Sequence, residues 1–394
     1  MFKTLVLILC TLLIACCAAI SQPSRDFDKT SNHSAFPKVN NSFINYKLAV
    51  DRYLQQHSLK NRTVAQIRLN LPFDFQASKK VAYNGRFLLF HGLNDSPYVW
   101  LDFAEQMVAR GFDVRAILLE GHGSHPRKMI NVDAKDWLTS ARKHYTLWSA
   151  EKAGPLYLGG FSMGAVLATS IAIDHPEVKG LFLVSPAFHS QLNDILRFSW
   201  IYSKFKTWLF GQMLWEDNPS KYNSITINSA SAYYDLTQHL KAKWADHKLD
   251  IALLMVHSLN DSVVDVQYSR EIFTHKFISP QKKLLLYSQS NKGANTSRGE
   301  EFRNSYYPGR RILNQSHLSL LNNSNNILLG KARKVLICNG NEYPIFIACM
   351  NSNQHWYGAQ HTLSPDGLPV ARSTYNPDFY TIVKRFEEIF VSRK

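Results

Sequence analysis

Cysteine is scarce in this chain of 394 residues: there are five, and Cys10, Cys16 and Cys17 are crowded into the first twenty positions. That leaves Cys338 and Cys349 for the body of the protein. Two thiols make one bridge but an incomplete ligand set, so no metal is expected. Glycine and proline are also modest, 18 and 15, which excludes collagen-like and low-complexity chains. Acidic residues are in deficit, 30 against 45 Lys and Arg, for a formal net charge of +15. The bases are scattered, however, with no run of five or six and no nucleic-acid motif. The excess reads as a solvated basic surface, and no nucleic-acid partner is expected. What is present, 45% hydrophobic and 19% charged residues, is material for a large core. A single core usually stops growing near ~250–300 residues, so one domain with an insertion and two domains both fit the length.

The N-terminus has one cation, Lys3, then the apolar run Leu5–Ala15 and then small residues. This is the layout of an export signal over residues 1–19, and the run is short for a membrane span of ~20 residues. Leu13-Ile14-Ala15-Cys16 resembles the lipobox of bacterial lipoproteins, which implies acylation of Cys16 and a membrane-surface anchor. The alternative is ordinary cleavage after Ala19. An exported, envelope-bound or secreted protein is expected either way. Such a compartment is oxidising, which agrees with a Cys338–Cys349 bridge across a local hairpin made of a turn and an apolar strand; free thiols are the other possibility.

Residues 20–45 are rich in Ser, Asn, Asp and Lys and read as a flexible tether, although Phe43–Leu54 already has helical spacing. Short apolar runs then alternate with helical stretches. Strands are expected at Arg86–Phe90, Phe112–Leu119, Leu156–Leu158, Leu181–Val184, Ile251–Val256 and Lys283–Tyr287, with helices such as Tyr98–Arg110 and Ala165–Ile173 between them. This alternation predicts an α/β fold with a mostly parallel central sheet covered on both faces. Residues 187–248, rich in Trp, Phe, Tyr and Lys, interrupt the series and read as a helical cap. The core is thus split into 46–186 and 249–394.

Gly160-Phe161-Ser162-Met163-Gly164 stands between an expected strand and an expected helix. A serine on such a turn is exposed at the sheet's C-terminal edge near the positive end of the helix dipole, where a nucleophile and a developing oxyanion are both favoured. Ser162 is the expected nucleophile. With the elbow, Phe90-His91-Gly92-Leu93-Asn94-Asp95-Ser96-Pro97, Glu120-Gly121-His122-Gly123-Ser124 and Asp136-Trp137, the chain resembles the α/β-hydrolases, and among them capped esterases and monoacylglycerol lipases. The resemblance covers most of residues 80–320. It implies an oxyanion hole made by the backbone amides of Leu93 and Met163, and a chain order of Ser, Asp, His. Asp261 then resembles the acid, with Asp265 as the fallback. His317 resembles the base, with His355 and His361 as alternatives. His91 and His122 precede the nucleophile and are expected to shape loops.

One departure from the pattern is the polar stretch Ser288–Arg311. Either it is an inserted surface loop, or Arg311-Ile312-Leu313 is the last strand.

The resulting expectation is a serine hydrolase for acylglycerol, lysophospholipid or similar lipid-like esters, working through an acyl-enzyme without a cofactor. Aromatic cap residues such as Trp200, Phe205 and Phe210 are candidates for an apolar roof over the site. The same triad also serves amide and peptide hydrolysis. An aminopeptidase needs acids in the cap to bind a free amine, and Glu216, Asp217 and Asp235 are available. A non-catalytic envelope lipoprotein that uses the fold for binding is the alternative from another class.

Overall fold

The computed structural model describes residues 35–289, 297–339 and 343–391. The expected leader, Cys16 and most of the tether lie outside the described residues. Eight strands make one sheet: β1 (Phe73–Phe75), β2 (Gly85–Phe90), β3 (Phe112–Ala116), β4 (Leu156–Phe161), β5 (Gly180–Val184), β6 (Ala252–Ser258), β7 (Lys282–Ser288) and β8 (Glu300–Asn304). Their spatial order is β1-β3-β2-β4-β5-β6-β7-β8, and every neighbouring pair is parallel except β1 with β3. The helices used below are α1 (Phe43–His57), α2 (Leu101–Ala109), α3 (Ala134–Glu151), α4 (Met163–Asp174), α5 (Ile227–Asp246), α6 (Val266–His275), α7 (Tyr343–Asn351) and α8 (Phe379–Phe390). A separate parallel pair, β9 (Trp356–Gly358) with β10 (Val370–Arg372), lies outside the main sheet.

The inner strands are apolar without interruption because helices bury both faces, and the pleat sorts alternate residues to opposite sides. Leu88 and Phe90 of β2, Met255 of β6 and Leu286 of β7 join one core, with α1, α3, α4, α5 and α6. Phe87, Leu89, Val256 and Tyr287 join the other, with α2 and α8. Helix α4 is buried on all sides, which explains its nearly continuous small and apolar sequence. Helix α8 places Phe386 and Phe390 with ring centroids 5.2 and 5.3 Å from Phe87.

Three readings of the sequence are corrected. Packing begins well before residue 45: Phe36, Val39 and Phe43 are all core residues, so the tether gives way earlier than its composition implied. The stretch Ser288–Arg311 is not merely a surface loop, because it contains β8. Residues 311–313 form no strand of the main sheet; Ile312 makes isolated bridges to Tyr307 and Tyr357. The strand was hidden by its charge. As an edge strand it pairs Glu300 with Arg270 and Glu301 with Arg385 instead of burying an apolar face. The apolar segment before Cys349 is helix α7, not a hairpin strand, with Pro344 in its first turn. An apolar run without clear period fits either element. The Cys338–Cys349 disulfide is present.

The insertion between β5 and β6 starts with four-residue helices at Asn193–Leu196 and Ser199–Tyr202, runs on irregularly, and ends in α5. Leu236, Leu240 and Trp244 bind α5 into the same core as α4.

Candidate active site

Strand β4 ends at Phe161 and α4 begins at Met163, so the chain reverses at one residue, Ser162, whose φ of 54° and ψ of −120° lie in a strained region. Two glycines permit it. A Cβ on Gly160 would stand 2.3 Å from the Cα of Ala165, and one on Gly164 would stand 2.2 Å from the carbonyl oxygen of Phe90. The elbow therefore needs glycine at both positions for space, while the left-handed φ is carried by Ser162 itself.

The loop after β6 carries Asp261, and the loop after residue 313 carries His317. His317 Nδ1 lies 2.6 Å from Asp261 Oδ2, and its Nε2 lies 2.9 Å from Ser162 Oγ. A carboxylate partner at Nδ1 fixes the proton there and leaves Nε2 to accept from the hydroxyl. Asp261 Oδ1 accepts from the amides of Val263 (2.9 Å) and Val264 (3.2 Å). Burial pushes the Asp261 pKa up, but the charge and hydrogen bond of His317, with His257 and the Val263 amide, more than offset this and hold it below its ordinary value. The two loops are tied by Ser258 Oγ donating to the carbonyl of Gln315 at 2.6 Å. Gln191 Nε2 adds a bond to the Asp261 carbonyl, also at 2.6 Å.

The alternatives are engaged elsewhere. Asp265 caps α6, its Oδ1 accepting from the Tyr268 amide at 3.0 Å. His355 Nε2 donates to the Cys349 carbonyl at 2.7 Å. His361 has no contact with the Ser162 group among the described hydrogen bonds and lies at a turn with φ of 60°.

Met163 opens α4, and neither its amide nor that of Leu93 donates a hydrogen bond among the described residues. A Cβ on Gly92 would lie 3.0 Å from the Ser162 Cβ, so the loop bearing Leu93 passes directly against the serine. His91 holds that loop: its Nδ1 donates to the Gly92 carbonyl at 2.8 Å, and Nε2 accepts from the Leu119 amide at 3.0 Å. Burial, only partly opposed by the Gly92 bond, lowers its pKa to about 4, so the ring stays neutral and keeps this tautomer. His122 packs on His91 with ring centroids 4.8 Å apart. Burial also raises the carboxyl of Asp95, in the same loop, to about 6, against the charges of Lys221 and His317 and the Ser96 amide.

The residues named for an apolar roof, Trp200, Phe205 and Phe210, are 57%, 81% and 46% exposed. Helical spacing in the sequence marked an apolar surface without showing which way it turned. Two of the three acids proposed for a free amine, Glu216 and Asp217, are held by hydrogen bonds of their own. Glu216 is buried and accepts from the amides of Asn223 and Ser224, both at 2.8 Å, and Asp217 accepts from the Asn223 side chain at 2.8 Å.

The family described as serine aminopeptidase, S33 (Hydrolase_4) matches residues 82–290, more than half of the chain. The protein belongs to this hydrolase family. A thermostable monoacylglycerol lipase of Bacillus sp. (strain H-257) is 30% identical over 100 residues, which span 25% of this chain and 40% of the lipase. A carboxylesterase of Bacillus subtilis (strain 168) is 21% identical over 229 residues, 56% of this chain and 87% of the esterase. Among solved structures, one described under LipS and LipT, two metagenome-derived lipolytic enzymes, is 22% identical with a TM-score of 0.46, covering 54% of this hydrolase and 86% of that chain. The monoglyceride lipase of Saccharomyces cerevisiae is 16% identical with a TM-score of 0.45, covering 59% and 85%. The family match ends before β8, so His317 and the disulfide lie beyond it.

The sequence reading missed the supporting groups Gln191, Ser258, Arg372 and Ser373. Each is an ordinary polar residue in its local sequence; Ser258 stands three residues before Asp261, and only the tertiary structure brings Gln191, Arg372 and Ser373 to the loops of Asp261 and His317.

Proposed function

We propose that this hydrolase cleaves carboxylic esters of lipid-like substrates through an acyl-enzyme. The observation that carries the reading is the unbroken chain Asp261–His317–Ser162, with heavy-atom distances of 2.6 and 2.9 Å. Ser162 Oγ attacks the ester carbonyl while His317 Nε2 takes its proton, forming the oxygen–carbon bond and placing negative charge on the carbonyl oxygen. Asp261 orients the imidazole and stabilises it once protonated. The amides of Leu93 and Met163 receive the oxyanion, each worth about 3–4 kcal/mol in the transition state. His317 then returns the proton to the departing alcohol. Water enters by the same route in reverse and releases the acid. General base catalysis of this kind contributes roughly 10²–10⁴-fold.

The substrate class rests on the names of the relatives, a monoacylglycerol lipase and a carboxylesterase. Peptide hydrolysis from a free amino terminus is the weaker reading, because Glu216 and Asp217 are held within the insertion by their own hydrogen bonds. The resemblance of residues 13–16 to a lipobox supports an envelope location with Cys16 as the acylated residue, which palmitate incorporation into wild type but not Cys16→Ser would establish.

The test is labelling of the detergent-solubilised full chain with a fluorophosphonate, followed by peptide mapping and turnover of a short-to-long p-nitrophenyl ester series. Labelling at Ser162 and loss of turnover in Ser162→Ala is the expected result. A folded protein that neither labels nor turns over any ester would move the non-catalytic lipoprotein into first place.

A further inference from the structure

Residues 372 and 373 sit at the end of β10, far beyond the family match, yet they reach both loops of the site. The Arg372 guanidinium is buried and donates from Nη1 to Ser262 Oγ at 2.9 Å, from Nη2 to Gln360 Oε1 at 2.9 Å and from Nε to the Asn339 carbonyl at 3.4 Å. Ser262 is the residue after Asp261. The next residue, Ser373, accepts the Ser316 amide on its Oγ at 2.7 Å, and its carbonyl accepts Ser316 Oγ at 2.6 Å. Ser316 is the residue before His317. Two consecutive residues thus grip the acid loop on one side and the base loop on the other.

The grip is itself anchored. The Arg372 amide donates to the Ile337 carbonyl at 2.8 Å, next to Cys338, and Ala371 packs with the Cys338–Cys349 disulfide. The Ser373 amide donates to the Gly358 carbonyl at 2.9 Å, and Thr374 Oγ1 donates to the Leu329 carbonyl at 2.6 Å. Burial lowers the Arg372 pKa to about 10, with Asp261 acting in the opposite direction, so the cation stays charged beside the acid.

We propose that Arg372 and Ser373 are positioning residues for the acid–base pair, a clamp that sets the Asp261 loop against the His317 loop and lets the C-terminal layer control the chemical step. The inference rests on the ester-hydrolase reading above. Neither residue is hydrogen-bonded to the Ser162 hydroxyl or the His317 ring; each acts on the neighbouring residue, Ser262 or Ser316. Their effect is therefore expected in kcat rather than KM, because displacements near 1 Å at reacting groups cost up to 10²-fold in rate.

The experiment compares wild type, Arg372→Met, Arg372→Lys and Ser373→Ala in the full chain, measuring kcat and KM on a p-nitrophenyl ester and the rate of fluorophosphonate labelling at Ser162. Near-ultraviolet circular dichroism and thermal melts establish folding. Arg372→Met is expected to lose roughly 10–100-fold in kcat and in labelling rate with KM within about twofold. Arg372→Lys, which keeps the charge but not the forked donors, should recover part of the loss. Ser373→Ala is expected to fall less, because its carbonyl still accepts from Ser316.

A folded Arg372→Met with wild-type kcat and labelling rate overturns the proposal, as does a loss carried wholly by KM. If Arg372→Met does not fold, the other two variants decide: lowered kcat at unchanged KM supports the clamp, and wild-type kcat in both refutes it. Wild type that fails to label at Ser162 would instead defeat the hydrolase reading itself, so the two failures are distinguishable.

Discussion

His144, on α3, is fully buried with ring centroids 4.6 Å from Tyr46 and 6.0 Å from Phe43, and neither of its nitrogens has a hydrogen-bond partner among the described residues. Burial, helped by the nearby charge of Arg115, lowers its pKa to about 3. An unfolded histidine titrates near ~6.5. Between these values the unfolded chain binds a proton that the folded protein refuses. The stability His144 confers is therefore fully present above about pH 6.5 and is lost as the pH falls toward about 3. From pH 7 to pH 5 the loss from this one ring is about 2 kcal/mol. His91 and His257, both lowered to about 4 mainly by burial, add to the acid sensitivity of the wild type. His144→Phe keeps a ring between Phe43 and Tyr46 and removes the titration. Urea unfolding of wild type and variant at both pH values, with equal m-values as the check on the two-state treatment, should show the variant losing about 2 kcal/mol less. An equal loss in the two proteins would refute the assignment of a buried, neutral His144.

Asp261→Asn preserves the size of the acid but offers no carboxylate to the imidazole, and should lower kcat by roughly 10³–10⁴-fold at neutral pH in ester-hydrolysis assays, with little change in melting temperature. Gly164→Ala places a Cβ 2.2 Å from the Phe90 carbonyl oxygen, a backbone atom that cannot swing away. It should destabilise the fold by about 3 kcal/mol or more and abolish labelling at Ser162, read by chemical denaturation and probe incorporation. Paired Cys338→Ser and Cys349→Ser substitution opens a loop of 11 residues and should cost about 3 kcal/mol by chain entropy, measured as a lower urea midpoint under oxidising conditions.

The parts of the fold legible in the sequence are those whose residues obey one dominant constraint. The inner strands must be apolar on both faces, so Arg86–Phe90, Leu181–Val184 and Ile251–Val256 announced themselves, and the elbow's glycines marked Ser162 because no other residue fits the space. Asp261 and His317 were placed through family likeness; the structure brings both to the serine, although nothing in their local sequence separates them from Asp265 or His355. Strand β8 failed the apolar test because its glutamates satisfy arginines of α6 and α8 at an edge. Helix α7 was misread because an apolar octet carries no period until its neighbours are known. The direction of Trp200, Phe205 and Phe210, and the reach of Arg372 and Ser373, depend on tertiary placement alone.

Helix α8 bears on the timing of the site's assembly. Phe386 and Phe390 close the aromatic core around Phe87, Phe103 and Phe182, beneath the sheet that carries the elbow. Ser162 is synthesised more than two hundred residues before that wedge. A growing chain can pair β2 with β3 and β4 and cover part of the second core with α2, yet that core is incomplete until residues 379–390 have emerged. With so many distant contacts required, closure is slow compared with local helix formation. The sheet behind the nucleophile therefore gains its full aromatic backing only once α8 docks, even though the elbow helix itself packs in the other core.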